Sequence, residues 1–273
     1  MCITFFHLPR HPGRPYKLVL AMNRDEFTAR PTSAARWRDG LVGGWDLQEG
    51  REGGTWLAMD TRGRLGLLTN IYTGGVLDQK AKGRGFLVVD WLKGNLSAMD
   101  YLTSLSQDPT TYNPFNLVLF ETGDDGEYLV SRYSRGVPGH TENFGPVTER
   151  CGTFGVGNHP QHLPYRKTVW GRDRLEMVVD EEEGMVERLE ELMMDQTQHW
   201  PDQQIVQQSS CSGTDGPFKQ FGPQLSSVFV DIPVGRYQTR TTTFVTVNRE
   251  DNVHFLEKNH IDDKTVTEFQ FKC

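Results

Sequence analysis

The chain is 273 residues long, carries a formal net charge of −7, and is 36% hydrophobic and 24% charged. The acidic surplus argues against nucleic acid as a partner, since phosphate binding demands clustered Lys and Arg, and against a generally basic membrane-binding face. Four widely separated cysteines, Cys2, Cys151, Cys211 and Cys273, form no C-x-x-C pair, which argues against a disulfide framework and a structural zinc site.

No stretch approaches the ~18 apolar residues of a membrane span. The opening run Ile3-Thr4-Phe5-Phe6 stops at His7 and Pro9, too early for the apolar core of a secretory signal. Residues 1–24 hold Arg10, Arg14, Lys17 and Arg24 and no acid, as import presequences do, but the prolines and a strand-like pattern oppose an amphipathic helix there. The expectation is one soluble, intracellular domain over 1–273, able to bury roughly three quarters of its unfolded surface without staples.

In chain order, the first residues alternate like a strand, and Tyr16 to Met22 form a second β-run across a loop marked by Pro9, Pro12, Gly13 and Pro15. Thr55 to Met59 and Arg64 to Thr69 form another pair around the turn Asp60-Thr61-Arg62-Gly63. Phe86, Val89 and Leu92 share a helix face that Gly94-Asn95 stops. Ser97 then reads as an N-cap with Asp100 three residues on, ahead of Tyr101, Leu102 and Leu105. Strands resume at Asn116 to Phe120 and Tyr128 to Tyr133 around Gly123-Asp124-Asp125-Gly126, and at Cys151 to Val156. Helical stretches follow from Pro164 to Val179 and Met185 to Met194, joined by the solvated acidic run Asp180 to Glu183. Residues 201–223, rich in Gln, Ser, Gly and Pro, read as a long loop. The last β-runs are Leu225 to Asp231, Thr239 to Val247, Val253 to Glu257 and Val266 to Phe271. Hairpins flanked by helix pairs imply two mainly antiparallel sheets whose outer faces need helical cover: an α+β, four-layer αββα sandwich.

Cys2 is the residue with the clearest chemical logic. If Met1 is removed, one carbon carries both a thiol and a free α-amine, of ordinary pKa roughly 8.5 and 7.7–8, so the amine can act as local base for thiolate attack on a carbonyl. Such a site needs a carboxylate for the amine and neutral donors for an oxyanion. Asp25, at the end of the strand hairpinned to the first, can reach the chain start; Asn70 and Asn158, each at a strand end, can donate; Arg240, at the start of a late strand, can anchor a carboxylate. Singly, each has a plainer reading as a turn, surface or second-position residue.

Together, however, Met1-Cys2-Ile3, Asn23-Arg24-Asp25-Glu26, Gly53-Gly54-Thr55-Trp56-Leu57, Leu68-Thr69-Asn70, Gly83-Arg84-Gly85, Phe115-Asn116-Leu117 and Tyr237-Gln238-Thr239-Arg240-Thr241 resemble, in order, the NRDE family, whose eukaryotic branch is that of the transport and Golgi organisation proteins. That family is itself similar to N-terminal-nucleophile hydrolases acting on bile-salt and penicillin amides. The resemblance implies Cys2 as nucleophile, Asp25 beside the amine, Asn70 and Asn158 as oxyanion or orienting amides, and Arg240 as the late arginine. One departure stands out. The hydrolases carry an arginine three residues before the aspartate, where this chain has Met22, and Arg24 is displaced next to Asp25 on the opposite strand face.

The resemblance further implies haem trafficking, lipid or acyl-CoA homeostasis and organisation of the secretory pathway, in cytoplasm with mitochondrial and Golgi association. No cofactor is required on this reading; haem enters as a transported ligand. The expected partner is a hydrophobic small molecule, haem or an acyl compound, with peripheral membrane contact compatible. The alternative is a Cys2-dependent amidohydrolase or thioesterase. No metal site is expected: His159 and His162 read as a solvated loop pair, and Trp56, Phe86 and Trp91 as core.

Overall fold

The computed structural model describes residues 1–74, 77–136, 142–180, 184–210, 220–261 and 264–273. The β-runs assemble into two seven-stranded antiparallel sheets. The first has the order β10 (Gly152–Val156), β1 (Ile3–Leu8), β2 (Tyr16–Phe27), β12 (Tyr237–Asn248), β13 (Asn252–Asn259), β14 (Val266–Lys272), with β11 (Asp231–Ile232) also on β12. The second runs β3 (Thr32–Arg38), β4 (Leu41–Asp46), β5 (Leu57–Asp60), β6 (Leu65–Asn70), β7 (Phe115–Thr122), β8 (Tyr128–Arg135), β9 (Phe144–Glu149).

Strand β2 shows why the layers form. Its side chains alternate, so Leu18, Leu20 and Met22 meet Val118, Phe120 and Val130 of the other sheet, while Val19 and Ala21 turn outward. Both faces are apolar, so both need cover. On the outer face, α3 (Arg166–Asp180) and α4 (Met185–Met193) supply Leu175, Val178, Leu189 and Leu192. There α3 comes so close that a Cβ at Gly171 would lie 2.1 Å from the Phe5 ring. On the second sheet, α1 (Phe86–Lys93) and α2 (Ala98–Gln107) bury Leu87, Val88, Trp91 and Leu102 against Leu68, Leu117 and Leu119. The result is the α+β, four-layer αββα sandwich. Ser97 caps α2 by accepting the Asp100 N–H at 3.1 Å, and Gly94 ends α1. No helix among the described residues is long and apolar enough to cross a membrane.

Several expectations need correction. The segment 201–223 is not one loop: α5 (Gln203–Ser210) and a helical turn at Gly222–Leu225 lie within it, while residues 211–219, with Cys211, lie outside the described residues. Asp202 caps α5 by accepting the N–H groups of Gln204 and Ile205, at 2.9 and 3.1 Å, and buried Ile205 anchors it, next to exposed Val206 among glutamines. The strand expected from Leu225 starts only at Asp231, because side chains take the preceding carbonyls: Lys167 bonds that of Ser227 and Asn23 that of Val228. Strands β3 and β4, and β9 with its Pro146, escaped notice; β3 and β9 are edge strands whose mixed polarity carries little alternation. His159 is fully buried rather than solvated, its ring nitrogens 2.8 Å from the Pro160 carbonyl and 3.1 Å from the Thr168 hydroxyl. Of the acidic connection, residues 181–183 lie outside the described residues.

Candidate functional site

The pairing of β1 with β2 runs to Ile3 opposite Asn23, so one step further Cys2 arrives beside Arg24. Cys2 is 8% exposed, faces the inter-sheet core with Phe6 and Met22, and its thiol donates to the Asp25 carbonyl at 3.6 Å. Burial pushes the thiol above the usual thiol range, outweighing the pull of the α-ammonium. Asp25 turns to the opposite face. Its carboxylate lies 2.9 Å from the Met1 α-ammonium through Oδ2 and accepts from the Thr239 hydroxyl at 2.7 Å through Oδ1. The ammonium also donates to the Tyr237 hydroxyl, which itself donates to the Asp25 carbonyl at 3.3 Å. Burial draws the α-amine below its ordinary value, with Asp25 opposing. Met1 is buried among Tyr165, Ile205, Leu225 and Tyr237.

Arg24 and Asp25 do point to opposite faces, as strand geometry demands, but this puts Arg24 on the face of Cys2, two residues along from Met22. The displaced arginine therefore reaches the thiol's side of the sheet. Its guanidinium stacks 3.7 Å over the Trp56 ring and lies 3.5 Å from Glu26, yet Nε and Nη2 are buried without a hydrogen-bond partner. Asn23, between them in register, has a structural duty: its amide donates to the carbonyls of Met193 and Val228 at 2.7 and 3.1 Å and accepts from Thr242 at 2.7 Å.

The other predicted residues fall into two groups. Asn158 donates to the Asn70 carbonyl, and its own carbonyl accepts from Tyr165, whose hydroxyl also approaches the Met1 sulfur at 3.7 Å. Tyr165 thus links Asn158, and through it the Asn70 backbone, to the chain start. Asn158 is 6% exposed and its Oδ1 is buried without a hydrogen-bond partner. Arg240 is the extra residue of a β-bulge where the β2–β12 register shifts opposite Arg24 and Asp25. Its guanidinium donates to the carbonyls of Arg30 and Thr28, at 2.7 and 3.3 Å, pinning the β2–β3 connection beside Arg24.

Sequence reasoning missed several neighbours. Tyr237 and Thr239 sat inside a quoted motif without a role. Lys167 carried no signal at all; it is fully buried on α3, donates to the Ser227 carbonyl at 2.8 Å, and is pulled down to about 8 by burial, with Asp25 and Cys2 opposing. Trp56 is half-buried, packs against the inter-sheet core, and with Asn70 and Glu26 lines a cavity of about 180 Å³. Taken together, the site sets a buried thiol and Arg24 on the inter-sheet face and a carboxylate-held amine on the opposite face, at the shared end of β1 and β2.

Comparison with known proteins adds the following. A family model described as Transport and Golgi organisation 2 matches residues 1–262. The Transport and Golgi organization protein 2 homolog of Homo sapiens is 32% identical over 274 residues, covering 96% of this chain and 94% of that protein. Transport and Golgi organization protein 2 of Drosophila melanogaster is 36% identical over 273 residues, covering 94% and 92%. Among solved structures, a variant of the conjugated bile acid hydrolase of Clostridium perfringens aligns over 97% of this chain and 92% of its own, with 9% identity and a TM-score of 0.41.

Proposed function

This chain belongs to the Transport and Golgi organisation 2 family, and from that premise we propose that it is a binding protein for a hydrophobic carbonyl-bearing ligand, haem or an acyl compound, held at the Cys2–Arg24–Asn158 junction. The observation that carries this reading is a pair of buried polar atoms there without a hydrogen-bond partner, Nε of Arg24 and Oδ1 of Asn158, beside an Arg24 Nη2 that has a Glu26 oxygen at 3.5 Å but no hydrogen bond. A buried polar atom without a partner costs about 1–3 kcal/mol. A ligand carbonyl or carboxylate accepting from Arg24, and a ligand N–H or O–H donating to Asn158, would recover that cost on binding. In this role the protein would serve haem and lipid handling, and through it the Golgi organisation that its relatives' names describe. Its proposed setting is the cytoplasm, with access to Golgi and mitochondrial membranes. Titration with haem and with a long-chain acyl thioester tests it: one-to-one saturable binding of either is expected, and no saturation by either contradicts it.

A second reading is favoured by the 2.9 Å contact between Asp25 and the Met1 amine. While Met1 remains, the Cys2 nitrogen is an amide and cannot serve as a base. Once Met1 is removed, the new α-amine lies on the same carbon as the thiol side chain, and Asp25 is already placed at the chain start. Cys2 could then attack an amide or thioester carbonyl, with the amine taking the thiol proton and passing it to the leaving group. Intact mass on tag-free protein, followed by an acyl-thioester turnover assay against Cys2→Ala, decides it. Loss of Met1 with turnover that requires Cys2 supports hydrolysis, and a retained Met1 excludes it.

A further inference from the structure

The cavity of about 180 Å³ beside Asn70 is lined by Arg30, Arg51, Lys82 and Arg84, in a chain whose net charge is −7. Among the described residues two of its three carboxylates are ion-paired, and the third, Asp78, accepts only a backbone N–H. Glu26 lies 3.5 Å from both Arg24 and Arg30, Asp46 binds Arg30 at 2.6 Å, and Asp78 accepts the Lys80 N–H at 2.8 Å. Arg84 and Arg51 form no ion pair among the described residues. Arg84 bonds only the Pro114 carbonyl, at 2.8 Å, and the Arg51 guanidinium folds so closely over the adjacent Gly83 that a Cβ there would lie 2.5 Å from it. Burial, and then the like charges of Arg51 and Arg30, draw Arg84 down to about 10. Two guanidiniums held together without an acid are unfavourable until an anion joins them.

The backbone converges on the same space. Gly83 to Phe86 line the cavity at the start of α1, which has no side-chain cap and no acid in its first turn. Gly54 and Gly85 let two loops meet there: a Cβ on either would lie 3.1–3.2 Å from the other's Cα. An uncapped helix start adds N–H donors and a favourable dipole for negative charge.

We propose that this cavity is a subsite for a compact anion, the carboxylate or phosphate at the polar end of the ligand, gripped by Arg84 and Arg51. The ligand is then an anionic amphiphile whose carbonyl-bearing portion lies toward Arg24 and Cys2, with Trp56 between the two halves. This rests on the ligand-binding reading above, but its test does not pass through Cys2.

The experiment is titration of the full chain with inorganic phosphate and, separately, acetate, at constant ionic strength, followed by calorimetry. Saturable one-to-one binding of at least one anion is expected, weakened at least about tenfold by Arg84→Gln and by Arg51→Gln. Preference for phosphate would mark a phosphorylated ligand, and preference for acetate a carboxylated one. Arg51 is exposed, so its variant keeps the test valid even if Arg84→Gln fails to fold. Wild-type affinity in the Arg51→Gln variant, or no saturation by either anion up to about 50 mM, would overturn the proposal. Anion binding without acyl or haem binding would leave the subsite standing and sink the wider reading instead.

Discussion

Asp25 holds the α-ammonium of Met1 at 2.9 Å, 24 residues away in the chain and with both groups out of water. The contact fixes the chain start against the end of β2. It also assigns the carboxylate a partner that only an ammonium can replace. Breaking a buried pair by removing one charge costs about 3–5 kcal/mol, since the other is left buried alone. Asp25→Asn, which keeps the Thr239 hydrogen bond, should lose that amount in urea denaturation. A loss under about 1 kcal/mol would mean that the pair does not form in solution.

The four residues of the Asn23-Arg24-Asp25-Glu26 motif separate by duty, and Asn23 should behave differently from its neighbours. Its amide satisfies two buried carbonyls and the Thr242 hydroxyl, tying β2 to the end of α4 and to the 226–230 segment. Asn23→Ala should cost roughly 3 kcal/mol in the same denaturation experiment, through several buried groups left unsatisfied. Ligand affinity measured well below the unfolding midpoint should hold. A selective loss of affinity with stability intact would move Asn23 into the site.

Much of this organisation was legible in the sequence. Alternation in β2 and turn signals around Gly63 and Gly126 gave the hairpins, and the Ser97–Asp100 pair gave the start of α2. Cys2 stood out for a thiol beside a prospective α-amine, and Asp25, Asn70 and Asn158 could be named as its companions because each sits at or just past the end of a recognisable strand. Other features left no local trace. The bulge at Arg240 depends on register with β2, and Lys167 owes its burial to α3 packing on the first sheet. Nor could spacing alone show that Arg24 shares a face with Cys2, because that follows from which strand pairs with which.

The Cys2 thiol is raised by burial, so it should be a poor nucleophile in the Met1-bearing chain. Alkylation by iodoacetamide at neutral pH, read residue by residue by mass spectrometry, should modify exposed Cys151 long before Cys2. Comparable rates at the two cysteines would show that the thiol is neither buried nor protonated as described.

His159 makes stability depend on pH. Burial holds its imidazole down to about 4 from the ordinary 6.5, so the folded protein keeps it neutral where the unfolded chain protonates it. Between those values the unfolded state binds more protons, and stability falls as pH drops from about 6.5 toward 4, by up to roughly 3 kcal/mol. The difference between wild type and His159→Gln, measured by denaturation at several pH values, isolates this contribution from the carboxylates. An identical pH slope in both proteins would contradict it.

The central claim is that Arg24 is kept buried for a ligand and not for the fold, and Arg24→Met tests it most directly. Methionine keeps an unbranched apolar stem of similar bulk, Glu26 retains Arg30 at 3.5 Å, and exchanging a buried charge for a well-packed apolar group is often neutral or stabilising. Calorimetric titration of this variant with the ligand that saturates the wild type, haem or the acyl thioester, should show affinity lowered at least about tenfold at an unchanged or higher melting temperature. Wild-type affinity in Arg24→Met would contradict the account.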